Sequence, residues 1–209
     1  MVYFIIFVLM KTKSEHTKEF ILQKVAPIFN KKGYVATSLK DLTEATKLTK
    51  GAIYGNFESK EDLAIKAFKF NINRILSLIS KELNKSNNAI EKLFLLSNFY
   101  REYYDFVVEY GGCPILNVAT DTNNVNTKLF KVVNEVAKKT ENNLAILIQN
   151  GIDKNEIQLG INSKVLAKNM YSMIEGSIFM SFIHKDKIYI TEMMNHIDTM
   201  IREKMMIKK

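Results

Sequence analysis

The sequence contains little of what several protein classes require. Among 209 residues there are one cysteine, two prolines, eight glycines and no tryptophan. A single cysteine excludes an intrachain disulfide framework, and so few prolines and glycines leave a sheet protein short of turn residues. These shortages predict an all-α fold. Because no secretory pattern is convincing either, we expect a reducing, cytoplasmic location.

Motifs for catalysis and cofactor binding are also missing. The chain has no Gly-x-Ser-x-Gly elbow, no glycine-rich phosphate loop and no Cys-x-x-Cys pair. Its three histidines, His16, His184 and His196, are scattered without the spacing of metal ligands. We therefore expect no catalytic residues, no cofactor and no metal. An enzyme and a helical binding protein without DNA affinity are kept as the competing classes.

Long apolar runs are confined to the first ten residues. The segment MVYFIIFVLM has about half the length of a membrane-spanning helix. A signal peptide would carry basic residues before its apolar run, and this segment has none there. We expect no membrane association. Translation from Met10, which would exclude residues 1–9, is one interpretation, and packing of the run on a groove or partner is the other.

Basic residues are in excess. Thirty Lys and Arg face 22 Asp and Glu, which gives a net charge of +8 and a pI near 9.3. An excess of this sign is compatible with nucleic-acid binding. It is equally compatible with the lysine-rich composition of proteins from AT-rich genomes, so charge alone decides nothing.

Helical periodicity dominates from His16 onward. The first helix is expected to follow Thr17 and to end at Gly33, with Pro27 removing one of its backbone hydrogen bonds. A short helix capped by Thr37 or Ser38 follows, and then one of about two turns after Thr49. Longer helices are predicted over 60–84 (capped by Ser59), 89–109, 125–150, 163–183 and 189–207. The stretch from Gly111 to Asn117, with the polar residues after it, is predicted as a connection.

The helix after Thr49 has an outer surface suited to the major groove of DNA. Its outward residues are small, so the backbone can approach a surface closely, while asparagine can pair with an adenine edge and alanine can contact a thymine methyl. Basic residues at both ends favour phosphate. The residues concerned are Thr49, Lys50, Ala52, Gly55, Asn56 and Lys60. An ordinary surface helix is the alternative.

A longer pattern resembles a known family. Between Thr17 and Leu63 the chain carries Phe20-Ile21-Leu22, Ala26, Phe29, Gly33-Tyr34, Thr37-Ser38-Leu39, Asp41-Leu42, Ala45, Leu48, Thr49-Lys50-Gly51-Ala52-Ile53-Tyr54, Asn56-Phe57 and Ser59-Lys60-Glu61-Asp62-Leu63. This segment resembles the DNA-binding region of TetR-family transcriptional regulators. The resemblance implies a helix-turn-helix domain over 11–60 and a helical ligand-binding and dimerisation domain over 61–209. It also implies a homodimeric repressor that releases operator DNA when a small molecule binds.

The resemblance also assigns site residues. Thr37 and Ser38 would contact phosphate, and the recognition segment would comprise Thr49, Lys50, Gly51, Ala52, Tyr54, Gly55 and Asn56, with Tyr54 and Lys60 as backbone anchors. Family members often carry histidine or an aromatic residue at the positions of Gly55 and Asn56. Glycine reads no base, so Asn56 is the main specificity candidate.

In the second half, the resemblance implies a dimer interface formed by the last two helices. Each of these helices has a stripe of apolar and small residues that suits such an interface but also suits the core of one subunit. The stripes are Leu166, Met170, Met173, Ser177 and Met180, and then Ile190, Met193, Met194, Ile197 and Ile201. The effector pocket of the family lies among the preceding helices. Tyr103, Tyr104, Asn117 and Met173 are the candidates for binding a hydrophobic or aromatic inducer, which would act through the 60–84 helix.

Cys113 lies in a Gly-Gly-Cys-Pro stretch similar to a motif in a subset of TetR C-terminal domains, some of which sense electrophiles or oxidants through the cysteine. A position near a helix N-terminus would lower the pKa of the thiol and make it reactive. A thiol-sensing repressor is therefore the alternative function. A small buried hydrophobic residue is the other interpretation of Cys113.

Overall fold

The computed structural model describes residues 12–207, which form ten helices and no strand. The all-α prediction is confirmed. In chain order the helices are α1 (Lys13–Ala36), α2 (Leu39–Thr46), α3 (Lys50–Tyr54), α4 (Lys60–Leu83), α5 (Ala89–Arg101), α6 (Tyr103–Tyr110), α7 (Pro114–Thr122), α8 (Thr127–Asp153), α9 (Ser163–His184) and α10 (Ile188–Lys204). The apolar run 1–10, and with it the question of the start site, lies outside this range.

α1 begins earlier than the periodicity predicts. Thr12 and Glu15 form a reciprocal capping box that starts the helix at Lys13, before Thr17. Gly33 interrupts it with φ of +82°, a value that glycine adopts without strain. The three residues after Gly33 therefore form a separate short turn at the end of α1.

The predicted helix 89–109 is two helices, and the predicted connection after it contains another. α5 ends at Arg101 and α6 starts at Tyr103. Gly111 and Gly112, with φ of +79° and +110°, then turn the chain into α7. α7 begins with Pro114 at its first position, where proline is favoured because its missing N–H would be unbonded anyway. The sequence prediction of a connection here is wrong.

Two hydrophobic cores lie along the molecule. The N-terminal core joins buried residues of α1–α3 to the first half of α4 and to single residues of α7 and α8, such as Val118 and Leu129. The larger core is built from the second half of α4 with α5, α6, α8, α9 and α10. α4 belongs to both, so the predicted boundary between residues 60 and 61 falls at the start of a shared helix.

The apolar stripe of α10 faces the core of its own subunit. Ile190, Met194, Ile197 and Ile201 are buried, as are Met170 and Ser177 of α9. These buried residues are not available for contact with a second subunit. For them, the prediction of a dimer interface is wrong. Met180 of the α9 stripe is exposed, together with Phe179 and Ile183. Within residues 12–207, none of the helices is long and apolar enough to cross a membrane.

Candidate DNA-binding surface and effector cavity

α2 and α3 form the helix-turn-helix unit. Ser38 caps α2 in a reciprocal box with Asp41, and Lys32 pairs with the Asp41 carboxylate at 2.5 Å. Lys47 turns the chain with φ of +56°, and the Thr49 hydroxyl accepts the N–H of Ala52 at 3.2 Å. These local bonds fix the angle at which α3 leaves the turn.

α3 presents the predicted outer face, but it is shorter than predicted. Ile53 and Phe57 are buried, while five of the candidates, Thr49, Lys50, Gly51, Ala52 and Gly55, are exposed. The helix ends at Tyr54, because the N–H of Gly55 closes the last turn on Gly51. The Asn56 amide lies beyond this end and donates to the Ala52 carbonyl at 2.9 Å. The Asn56 Oδ1 takes no part in this bond.

The predicted phosphate contacts divide into two groups. Ser38 is exposed, whereas the Thr37 side chain is buried and its hydroxyl donates to the Gly33 carbonyl at 2.6 Å. A buried hydroxyl cannot reach phosphate, so the expectation for Thr37 is wrong: it closes the turn after α1. Lys60 is half-buried, with Nζ 4.8 Å from the Tyr34 ring centre and 3.4 Å from the Val35 carbonyl. Burial lowers the pKa of Lys60 below its usual value.

α7 bonds to the end of α1, the helix that leads into the helix-turn-helix unit. The Asp121 carboxylate accepts the backbone N–H of Tyr34 at 2.5 Å and that of Val35 at 3.3 Å. Near the other end, the Asn117 amide donates to the carbonyls of Asn30 and Gly111, at 3.1 and 2.7 Å. The expectation that Asn117 lines the effector pocket is therefore wrong, because its amide is occupied in this joint.

A cavity of about 460 Å³, here called the outer chamber, lies between α4, α5, α8 and α9. This volume is within the range of small-molecule sites. Its walls are mainly apolar, including Leu83, Leu96, Leu144, Leu147 and Ile174. Lys92 and Lys139 also line it.

A second cavity of about 30 Å³, the inner chamber, adjoins the outer one. Both are lined by Leu76, Ile79, Tyr100, Thr140 and Tyr171. The inner chamber alone is also lined by Tyr103, Cys113 and Glu175. Glu175 Oε2 and the Tyr171 hydroxyl are buried and have no hydrogen-bond partner.

The inner chamber changes the acidity of the groups around it. Burial raises the pKa of the Glu175 carboxyl. The neighbouring Cys113 and Tyr171 side chains lower this pKa, but they offset only part of the effect of burial. Burial and the Glu175 charge raise the pKa of the Cys113 thiol well above its usual value. Cys113 does lie at the N-terminus of a helix, α7, but its burial outweighs the effect of the helix end on the pKa. This supports the interpretation of Cys113 as a small buried hydrophobic residue rather than as a low-pKa thiol.

The predicted pocket residues are partly correct. Tyr103 lines the inner chamber. Tyr104 lies instead in a groove with Val108 and Phe182, and Met173 packs half-buried against the core without lining either chamber. The two residues missed were Tyr171 and Glu175. Their spacing of four on α9, where Glu175 is the only acidic residue, was available in the sequence.

Among residues 12–207, no three His, Cys, Asp or Glu side chains are grouped closely enough to hold a metal ion.

Comparisons with known proteins match both halves of the chain. Residues 21–67 match the family model "Bacterial regulatory proteins, tetR family". Residues 89–197 match "Tetracyclin repressor-like, C-terminal domain". The first range contains the helix-turn-helix unit, and the second contains the helices around the two chambers other than α4.

Individual relatives match in sequence, and one of them also in structure. A TetR-family regulator from Cytophaga hutchinsonii is 33% identical, with a TM-score of 0.87 over 96% of this chain and all of that one. The HTH-type regulator YxaF of Bacillus subtilis is 28% identical over 92% of this chain and 99% of its own length. IcaR of Staphylococcus aureus, a negative regulator of the icaADBC biofilm operon, is 29% identical over 37% of this chain and 41% of its own.

Proposed function

The chain belongs to the TetR family of bacterial transcriptional regulators, and from this we propose that it is a repressor that releases its operator when a small molecule enters the chambers. One observation carries the proposal. The same chain has an exposed, small-residue recognition helix and a cavity lined by the helix that follows it. IcaR, a relative over 37% of this chain, is a negative regulator, which supports repression rather than activation.

The DNA contact in this proposal is made by α3. In helix-turn-helix proteins the second helix enters the major groove, and dimers bind half-sites about one helical turn apart. Exposed Lys50, Gly51 and Ala52 allow close approach at its start, and Asn56 offers a base contact at its end. Ser38 and Lys60 lie beside it as phosphate contacts, which position the protein without reading sequence.

The dimer contact we propose is the exposed side of α9. Phe179, Met180 and Ile183 are 38–53% exposed there. Nothing lies within 4 Å of a side chain built at Gly176, so a second helix can approach closely. Exposed apolar patches of this kind mark interaction sites. This contact still uses α9, one of the last two helices, but of the predicted stripes it keeps only Met180.

Coupling between the chambers and α3 has two routes in the proposal. α4 lines both chambers through Leu76 and Ile79 and begins just after α3, at the Ser59 cap. α7 begins beside Cys113 in the inner chamber and bonds the end of α1, just before α2, through Asp121. A ligand that moves either helix therefore shifts the two recognition helices of a dimer relative to each other.

Replacing Asn56 with alanine is expected to relax sequence preference at one base pair, at a cost of about 1–3 kcal/mol for the preferred base. Lys60→Ala should instead weaken binding to all sequences alike and reduce its salt dependence, because it removes a phosphate contact. Gel shifts with DNA upstream of the protein's own gene, and with single-base variants of the bound site, measure both effects. An unchanged base preference in Asn56→Ala would contradict the assignment to base reading.

A further inference from the structure

The inner chamber contains two buried polar groups, a carboxylate oxygen and a phenol hydroxyl, that make no hydrogen bond of ordinary length and angle with the described residues. Glu175 Oε2 and the Tyr171 hydroxyl are buried without hydrogen-bond partners. A buried polar atom left without a partner costs roughly 1–3 kcal/mol, and more when it is charged. Among the residues that line the two chambers, Glu175 is the only acidic one. A donor is therefore expected to occupy this place when the site is filled.

The size of the inner chamber limits that donor. A volume of about 30 Å³ accommodates a group of the size of one water molecule. A primary ammonium has this size and three N–H donors. A trimethylammonium group is larger and has no N–H at all. The chamber thus selects a small head group that donates hydrogen bonds.

Aromatic rings also favour a positive charge at this position. Tyr100, Tyr103 and Tyr171 all line the chamber, and the Tyr100 and Tyr103 rings meet edge to face with centres 5.7 Å apart. Ring faces attract cations, more strongly when water is excluded. The adjoining outer chamber, with its leucine and isoleucine walls, provides space for an apolar body attached to the head group.

We propose that the effector is a lipophilic primary amine whose ammonium group enters the inner chamber and binds Glu175 and Tyr171, with its apolar body in the outer chamber. This inference rests on the proposed ligand-responsive function and specifies its ligand class. Lys92 and Lys139, which line the outer chamber, face the body of the ligand rather than its head.

Proton balance gives the pH dependence of binding. Tyr100, Tyr103, Tyr171 and Cys113 surround Glu175, and none of them adds a positive charge. Because burial raises the pKa of Glu175, the free protein holds a proton there at lower pH. An arriving ammonium favours the carboxylate, so that proton is released to solvent. Affinity should therefore rise with pH until the amine itself loses its proton, near pH 10.

The test uses four probes with the same alkyl chain and different heads: octylamine, octanol, octyltrimethylammonium and octanoate. Calorimetry with the full-length protein is expected to show octylamine binding at least about tenfold more tightly than the other three, as the loss of a charged hydrogen bond implies. Glu175→Gln should remove this preference. Tyr171→Phe should reduce it, since it keeps the ring and removes only the hydroxyl.

Glu135→Gln is the matched control, because Glu135 is exposed on α8 and its loss removes the same charge. It should leave the preference for octylamine unchanged. Glu175→Gln is nearly isosteric and removes a buried charge, so a thermal melt should show a folded protein that is no less stable than the parent.

The remaining outcomes overturn the inference. Tightest binding of octanoate would place an anionic head at Lys92 and Lys139. Equal binding of octyltrimethylammonium would contradict the small, donor-rich head site. If none of the four probes binds while the same preparation still binds operator DNA, the amine assignment is wrong and the repressor function stands.

Discussion

Operator DNA is expected to weaken effector binding by about a hundredfold, the same factor by which the effector weakens operator binding. Coupling between two sites is reciprocal, and a hundredfold effect corresponds to about 2.7 kcal/mol. The structural reason is that the two α3 helices of a dimer must enter successive major grooves on one face of the DNA at the same time. A shift of a few Å in their separation misplaces one of them.

Octylamine is a suitable probe for this expectation. It is titrated into free dimer and into dimer saturated with operator DNA, with the apparent affinity measured by calorimetry in both cases. DNA of the same length and scrambled sequence is the control, and it should leave the affinity for octylamine close to that of free dimer. Equal affinities for free and operator-bound dimer would contradict an allosteric release mechanism.

The Asp121→Ala variant is expected to disconnect α7 from the end of α1, and so from the helix-turn-helix unit that follows α1. The carboxylate accepts two backbone N–H groups, those of Tyr34 and Val35, at 2.5 and 3.3 Å. Removing it leaves both donors without this partner, at a cost of about 1–3 kcal/mol in the free energy of unfolding. If α7 transmits the effector signal, the effector should still bind while the hundredfold coupling falls.

Two further variants sharpen this test. Asp105→Ala removes an exposed carboxylate on α6 and should change neither stability nor coupling. Gly33→Ala disturbs the same joint from the other side, because a side chain there would lie 2.9 Å from the Asp121 carboxylate at φ of +82°. Urea unfolding of the single and double variants should be non-additive, as expected for residues in contact. Full coupling and unchanged stability in Asp121→Ala would exclude α7 as a route.

The DNA-binding region could be predicted from the sequence because its signals are local and dense. Ser38, Thr49 and Ser59 each cap a helix, as predicted, and Ile53 and Phe57 take the inward face. Thr37 was misassigned, since a hydroxyl beside a cap has the same sequence pattern whether it points outward or bonds to Gly33.

The second half was harder to predict because its decisive features depend on packing between distant helices. α7 is hard to recognise in the sequence because Gly111 and Gly112 precede it and Pro114 begins it, and these residues also suit a loop. The α10 stripe has helical spacing whether it faces its own core or a partner, and only the packed fold shows that Met194 is buried. Glu175 becomes informative when α9 is placed against Tyr100 and Cys113, which lie far from it in sequence.

Selection of bound fragments from random or genomic DNA tests the central claim most directly. The account predicts enrichment of an inverted repeat with two half-sites about one helical turn apart, bound more tightly than scrambled DNA of the same length at physiological salt. Asn56→Ala should enrich a repeat that is degenerate at one position of each half-site. Enrichment of no sequence, with binding that depends on salt alone, would contradict an operator-specific regulator.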